Sequence, residues 1–142
     1  MIEHTLCIIK PNAIKKNILG KIINRFELAN LSIISMKMLK LYREQAVGFY
    51  FEHKNKSFFN MLIDFMISGP ILVFILEGED AIKNTRSLIG TTDPRHAKIG
   101  TIRSDYGDNL TENTIHSSAS KEEANREIAY FFTANEIYSH IL

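Results

Sequence analysis

Six consecutive apolar residues, Ile71-Leu72-Val73-Phe74-Ile75-Leu76, constrain this chain more than any other stretch. The run is short, wholly apolar and opened by the breaker Ser68-Gly69-Pro70, so it reads as a central strand. A second run, Thr5-Leu6-Cys7-Ile8-Ile9, reads as a buried strand that Lys10-Pro11 closes, with Lys10 projecting from its carboxyl end. Leu31 to Leu41 alternates Ile34, Met36 and Met38 with Ser35 and Lys37, the period of a half-buried strand. Between these strands the period becomes helical. Asn17 to Ala29 presents Ile18, Ile22, Ile23 and Phe26 on one face. Arg43 to about His53 forms another helical stretch, and Phe59, Leu62, Ile63 and Met66 mark a third. Glu79 to Leu88 is expected to be helical, with acids in its first turn and Gly90 as its stop.

The chain has 142 residues, enough for one domain over 1–142 with a sizeable core. Lys+Arg 17 against Asp+Glu 16 leaves a net charge of +1, which argues against a broad nucleic-acid or membrane surface and leaves room for a local basic pocket. The single cysteine, Cys7, lies in an apolar run and reads as a small core residue. There is no leader-like amino terminus and no apolar run of membrane-spanning length, so the cytoplasm is the expected compartment. The order of strand, helix, strand, helices, strand, helix, short strand and helix gives an α+β fold. Its expected form is a split βαβ antiparallel sheet with helices packed on one face.

Chemistry concentrates near the end. Asn113-Thr114-Ile115-His116-Ser117-Ser118-Ala119-Ser120 closes a long polar stretch and leads into a helix. Ser120 and Glu123 form a capping box, and Ala124, Ile128, Phe131 and Phe132 supply the apolar stripe. His116 thus stands among hydroxyls beside a helix start that favours anions. It reads either as an ordinary surface side chain or as a nucleophile, base or ligand. Residues 90–113 show no period and hold Thr91, Thr92, Arg95, Lys98, Thr101 and Arg103, groups that suit phosphate or a solvated loop equally well.

Ile9-Lys10-Pro11-Asn12, Phe58-Phe59, Ser68-Gly69-Pro70 and Glu77-Gly78 occur here in an ordered series. They continue with Arg86 and Gly90, Thr92-Asp93-Pro94, Gly100-Thr101-Ile102-Arg103 with Asp105, and Asn113-Thr114-Ile115-His116. In order and spacing, nearly end to end, these residues resemble the nucleoside diphosphate kinase family of bacterial type. The resemblance implies a ferredoxin-like domain that moves a phosphoryl group from a nucleoside triphosphate, mainly ATP, to a nucleoside diphosphate. It implies a ping-pong path through one phosphohistidine, with Mg2+ held through the nucleotide phosphates and no metal site of the protein's own. By position His116 matches the nucleophile, and Arg86, Thr92 and Arg103 match a phosphate clamp. Lys10 and Asn113 match groups on the sugar hydroxyls, Lys10 also lying near the transferred phosphoryl. Phe58 matches the platform for the base, bordered by Leu62 and Leu110. Tyr50 matches a residue near the phosphates, and Ser118 and Glu127 match groups around His116. Without the resemblance, Glu127 reads as a solvated helix carboxylate and Phe58 as core.

The same resemblance implies a homo-oligomer. The chain ends at Leu142, short of the longer tail of many hexameric members, so a tetramer is expected over a hexamer. Two departures stand beside the nucleophile: the usual His-Gly-Ser-Asp reads His116-Ser117-Ser118-Ala119. If the glycine is needed for a positive φ, Ser117 costs about 1 kcal/mol or shifts the histidine. Lys10-Pro11-Asn12-Ala13 replaces the usual Lys-Pro-Asp-Gly. Rival readings are a non-catalytic nucleotide-binding regulatory module on the same fold and a metal site at His96 or His116. The five histidines show no ligand spacing for the latter.

Overall fold

The apolar run forms the interior of β3 (Ile71–Glu79), flanked on both sides by partners. β1 (Ile2–Ile9) pairs with it antiparallel, from Ile2 opposite Glu79 to Ile9 opposite Leu72. β2 (Ser32–Leu39) pairs antiparallel on its other side, with an irregularity between Ile33 and Ser35. The short β4 (Ile115–Ser117) adds to the free edge of β1, giving the order β2-β3-β1-β4. Residues 1–141 are described by a computed structural model; Leu142, the end of the expected domain, lies outside them.

The remaining elements in chain order are α1 (Pro11–Lys15), α2 (Leu19–Leu28), α3 (Arg43–Phe49) and α4 (Phe59–Met66). They are followed by α5 (Ala81–Ile89), α6 (Ile102–Tyr106) and α7 (Lys121–Phe131). Short 3-10 turns occupy Phe51–His53, Pro94–His96 and Ala134–Glu136.

The antiparallel α+β sheet agrees with expectation, but its helices cover both faces and not one. Leu6, Ile8, Val73 and Ile75 pack with Phe49 of α3 and with Ile63 and Met66 of α4. Cys7, Ile9, Leu72 and Phe74 point the other way, against Ile22 and Phe26 of α2 and Ile89 of α5. A strand apolar at every position has two faces to bury, and each large side chain so buried contributes about 1.5–3 kcal/mol.

Local differences have local causes. Glu79 ends β3, Asp80 turns the chain at φ 44, and α5 begins at Ala81 with no acid in its first turn. Pro11, which stops β1, also opens α1, where its missing N–H costs nothing. The stretch from Arg43 to His53 divides into α3 and a 3-10 turn. The aperiodic segment 90–113 contains α6, capped by the Thr101 hydroxyl and anchored by fully buried Ile102.

At the β3 end, buried Glu77 accepts hydrogen bonds from the His140 N–H (3.0 Å) and the Ser139 hydroxyl, and it pairs with His4 Nε2 at 2.7 Å. This carboxylate ties the last described residues to the sheet. No helix among the described residues is long and apolar enough to cross a membrane.

Candidate active site

His116 is placed by strand geometry. It lies opposite Ile8 on β1, and Ile8 faces the layer of α3 and α4. The period of two therefore turns the imidazole to that side, while Ile115 enters the other core. The Lys10 N–H donates to Thr114 O (2.8 Å) and the Ser118 N–H to Leu6 O (3.1 Å), so the strand is held at both ends. Phe49 and Tyr50 meet the imidazole edge-on, with centroids 5.3 and 6.0 Å away.

One carboxylate orients the ring. Glu127 Oε1 on α7 lies 2.9 Å from His116 Nε2 and accepts from the Ser118 hydroxyl at 2.7 Å. The same hydroxyl oxygen accepts from the Leu6 N–H at 3.3 Å, so Ser118 links β1 to the pair. Burial pushes the Glu127 carboxyl up. The His116 and Ser118 hydrogen bonds, with Arg126 nearby, outweigh that and hold it below the usual carboxylate range. An ionised carboxylate only accepts, so Nε2 carries the hydrogen and Nδ1 is the ring nitrogen left for chemistry.

His116 opens into a cavity of about 490 Å³ that gathers the residues singled out from the sequence. Lys10, Tyr50, Phe58, Leu62, Arg86, Thr92, Arg103, Leu110, Asn113 and Glu127 all line it with His116. Ser118 stands behind, bonded to Glu127. Arg103 is anchored by donation to the carbonyls of Gly90 (3.0 Å) and Ile115 (2.8 Å), and its buried Nε has no acceptor among the described residues. Burial, then the neighbouring Arg86 charge, brings the Arg103 guanidinium down to about 10. Gly90 makes this anchor possible: at φ 93 it packs on Thr101, and a Cβ there would stand 2.6 Å from the threonine hydroxyl.

Lys10 is 6% exposed, and its ammonium donates to Asn113 Oδ1 at 2.7 Å. Asn113 in turn donates to Thr92 O at 2.9 Å, so three chain segments form one polar wall. Burial, then the Arg103 charge, lowers Lys10 to about 7. Two basic side chains facing one cavity raise the local potential for anions.

At the far end Phe58 is 38% exposed, with the Lys56 ammonium 5.6 Å from its ring centroid, while Leu62 is buried and Leu110 exposed. Phe59, its neighbour, packs instead against the core. The cavity also includes residues that the sequence did not assign to the site: Phe49, Glu52, His53, Lys56, Thr111, Glu123 and Arg126. His53 sits between Tyr50 and Phe58, with ring centroids 6.5 and 5.9 Å away, and its buried Nδ1 has no partner among the described residues. Its ring neighbours Tyr50 and Phe58 belong to its own segment, but the rest of the cavity wall comes from distant parts of the chain. Arg126, one residue before Glu127, bridges to Glu52 at 3.1 Å.

The departures beside His116 take simple forms. Ser117 belongs to β4, and the left-handed residue of this segment is Thr114, at φ 83. The expected backbone cost at Ser117 is therefore absent. The Ala119 N–H donates to the Glu123 carboxylate at 3.0 Å while the Ser120 hydroxyl accepts from the Glu123 N–H at 3.1 Å. The capping exchange thus reaches one residue further back than the sequence pattern implied.

Comparison with known proteins follows the same geometry. The sequence matches the family model described as nucleoside diphosphate kinase over residues 3–137. It is 56% identical over 140 residues to a nucleoside diphosphate kinase of Wigglesworthia glossinidia brevipalpis, covering 99% of each chain. The fold is similar to the nucleoside diphosphate kinase of Aquifex aeolicus, with a TM-score of 0.93, 42% identity, and 96% of this chain and 99% of that one covered. It is also similar to a halophilic nucleoside diphosphate kinase of Halobacterium salinarum solved in complex with CDP. There the TM-score is 0.94 and the identity 38%, with 98% of this chain and 93% of that one covered.

Proposed function

The chain belongs to the nucleoside diphosphate kinase family and is a phosphotransferase, and we propose how its residues divide that work within one domain. The enzyme moves the γ-phosphoryl of a nucleoside triphosphate to a nucleoside diphosphate through a phosphohistidine. In our reading His116 Nδ1 is the nucleophile: it attacks phosphorus, the bond to the bridging oxygen breaks, and the nucleoside diphosphate leaves. In the second half-reaction an acceptor diphosphate takes the phosphoryl back and restores the imidazole. The carrying observation is the 2.9 Å contact between Nε2 and the buried Glu127 carboxylate, which fixes the tautomer and favours the positive charge on the modified ring.

Arg86, Arg103 and Thr92 clamp the phosphates, where positioning and positive charge do most of the catalysis. Lys10 and Asn113 hold the sugar hydroxyls, and Lys10 reaches toward the transferred phosphoryl. Phe58, bordered by Leu62 and Leu110, stacks the base for about 1–3 kcal/mol without reading its edge. Tyr50 and Ser118 support the histidine.

Magnesium fits this cavity as a companion of the nucleotide. Among the described residues no three His, Cys, Asp or Glu side chains converge, and Mg2+ on a nucleotide needs few protein ligands. When bound it would neutralise phosphate charge; Glu52, paired with Arg126, and Glu123, which accepts from the Ala119 N–H, are carboxylates of the same cavity near which it would sit. We extend the reading to a cytoplasmic homo-oligomer, a tetramer in preference to a hexamer. Association is supported by Met36 and Met38, exposed on the edge strand β2.

Incubation with γ-labelled ATP tests the assignment. Base-stable, acid-labile phosphate is expected on His116 and is expected to vanish in His116→Ala. Label persisting in that variant refutes it.

A further inference from the structure

The clamp residues face two spaces. Arg86, Arg103, Ser117 and Ala119 line the nucleotide cavity and also an adjoining, wider cleft of about 920 Å³. Beyond them this cleft is lined by Lys83 of α5, Lys98 of the loop before α6, and Lys121 at the start of α7. Three separate segments thus bring ammonium groups to one surface. Lys16 and Lys37 form ion pairs, whereas Lys83, Lys98 and Lys121 form none among the described residues. The two acids of the cleft are already engaged: Glu3 accepts from the Ile82 N–H at 3.2 Å, and Asp80 lies 3.7 Å from the terminal amine.

A triphosphate that begins at Phe58 and ends at His116 leaves these three lysines unused. Ala119 stands where the two spaces meet, and it carries no charge where the usual pattern has an acid. None of the described residues lining the cleft is aromatic, so it offers no stacking platform for bases. What it offers is flexible point charges, with Lys83 and Arg86 one turn apart on α5, and the hydroxyls of Ser87, Thr91 and Thr101. That chemistry suits a ligand with a negative charge on every unit and no bases.

We propose that the cleft is a second anion site, which binds a linear polyphosphate chain running from the lysines onto the Arg86–Arg103 clamp. A chain seated there occupies the clamp and competes with the nucleotide. The proposal rests on Arg86 and Arg103 being the phosphate clamp.

The test uses the full-length enzyme with inorganic long-chain polyphosphate, tripolyphosphate as a length control and single-stranded DNA of matched charge. Chain binding is read directly from the anisotropy of labelled polyphosphate, and steady-state kinetics give KM for ATP and kcat. Long-chain polyphosphate is expected to bind and to inhibit competitively against ATP. Combining Lys83→Gln, Lys98→Gln and Lys121→Gln is expected to weaken chain binding about tenfold or more. KM, kcat and inhibition by tripolyphosphate should stay within about twofold. Ala119→Asp, which restores a negative charge at the junction, should weaken chain binding independently. Unchanged chain binding in the triple variant overturns the second site and leaves the kinase reading intact. DNA that binds as tightly as polyphosphate and is weakened equally by the variant overturns the choice of ligand. Binding is measured without turnover, so failure of the His116 labelling experiment is a separate result.

Discussion

Nucleotide binding by this enzyme should take up a proton at alkaline pH, and Lys10 is the reason. The free protein holds Lys10 at about 7 because the ammonium is buried and faces Arg103. At pH 8 it is therefore about one-tenth charged. An anionic phosphate in contact raises such a group by about 1–3 units, to about 9, where it is about nine-tenths charged at the same pH. The difference is an uptake of about 0.8 proton per nucleotide at pH 8, falling to about 0.1 at pH 6. Calorimetric titration with ADP in two buffers of different ionisation enthalpy measures this number, and Lys10→Met removes the Lys10 share. The same group sets a stability slope. Its folded value lies below the ordinary 10.5, so the unfolded chain binds more protons between about 7 and 10.5. Stability of the free enzyme should therefore rise with pH across that window, and Lys10→Met should flatten the rise. Equal proton uptake by the wild type and Lys10→Met at pH 8 would refute the reasoning.

Glu127→Gln keeps a hydrogen-bond acceptor but loses the charge that supports phosphohistidine. Single-turnover labelling should slow about tenfold or more, with dissociation constants for nucleotides nearly unchanged. Ser117→Gly should alter that same rate by less than about threefold, because Ser117 is ordinary extended strand; a larger gain would mean that serine displaces the histidine. Burial pushes Glu77 up, but the Ser139, His4 and His140 hydrogen bonds leave it below its ordinary 4.5. Its contribution is present above about pH 4.5 and lost as pH falls through the lower folded value. Urea midpoints of Glu77→Gln should lose that acid dependence, along with protection of the last residues from carboxypeptidase.

Much of this protein was legible along the chain. Strands and long helices announce themselves by local periodicity, and a short segment such as Asn113 to His116 is legible because its residues are chain neighbours at the entry to β4. Even the covering of both sheet faces was written in the run from Ile71 to Leu76, where no alternate position is polar. Shorter elements left little trace: α1 and α6 have five residues each, too few for a helical period.

Tertiary structure alone decided the pairings across distance. Helical spacing puts Glu127 on the stripe of Ala124, Ile128 and Phe131, but its bond to His116 comes only from packing α7 against β1. Lys10 acquires its lowered proton affinity from the loss of water around it and then from the Arg103 charge, and Arg103 lies far from it in the chain. Arg126 likewise meets Glu52 only because α7 packs beside the segment after α3. Residue type and spacing are local quantities, whereas a pKa, a tautomer or an unpaired charge belongs to the neighbours that folding supplies.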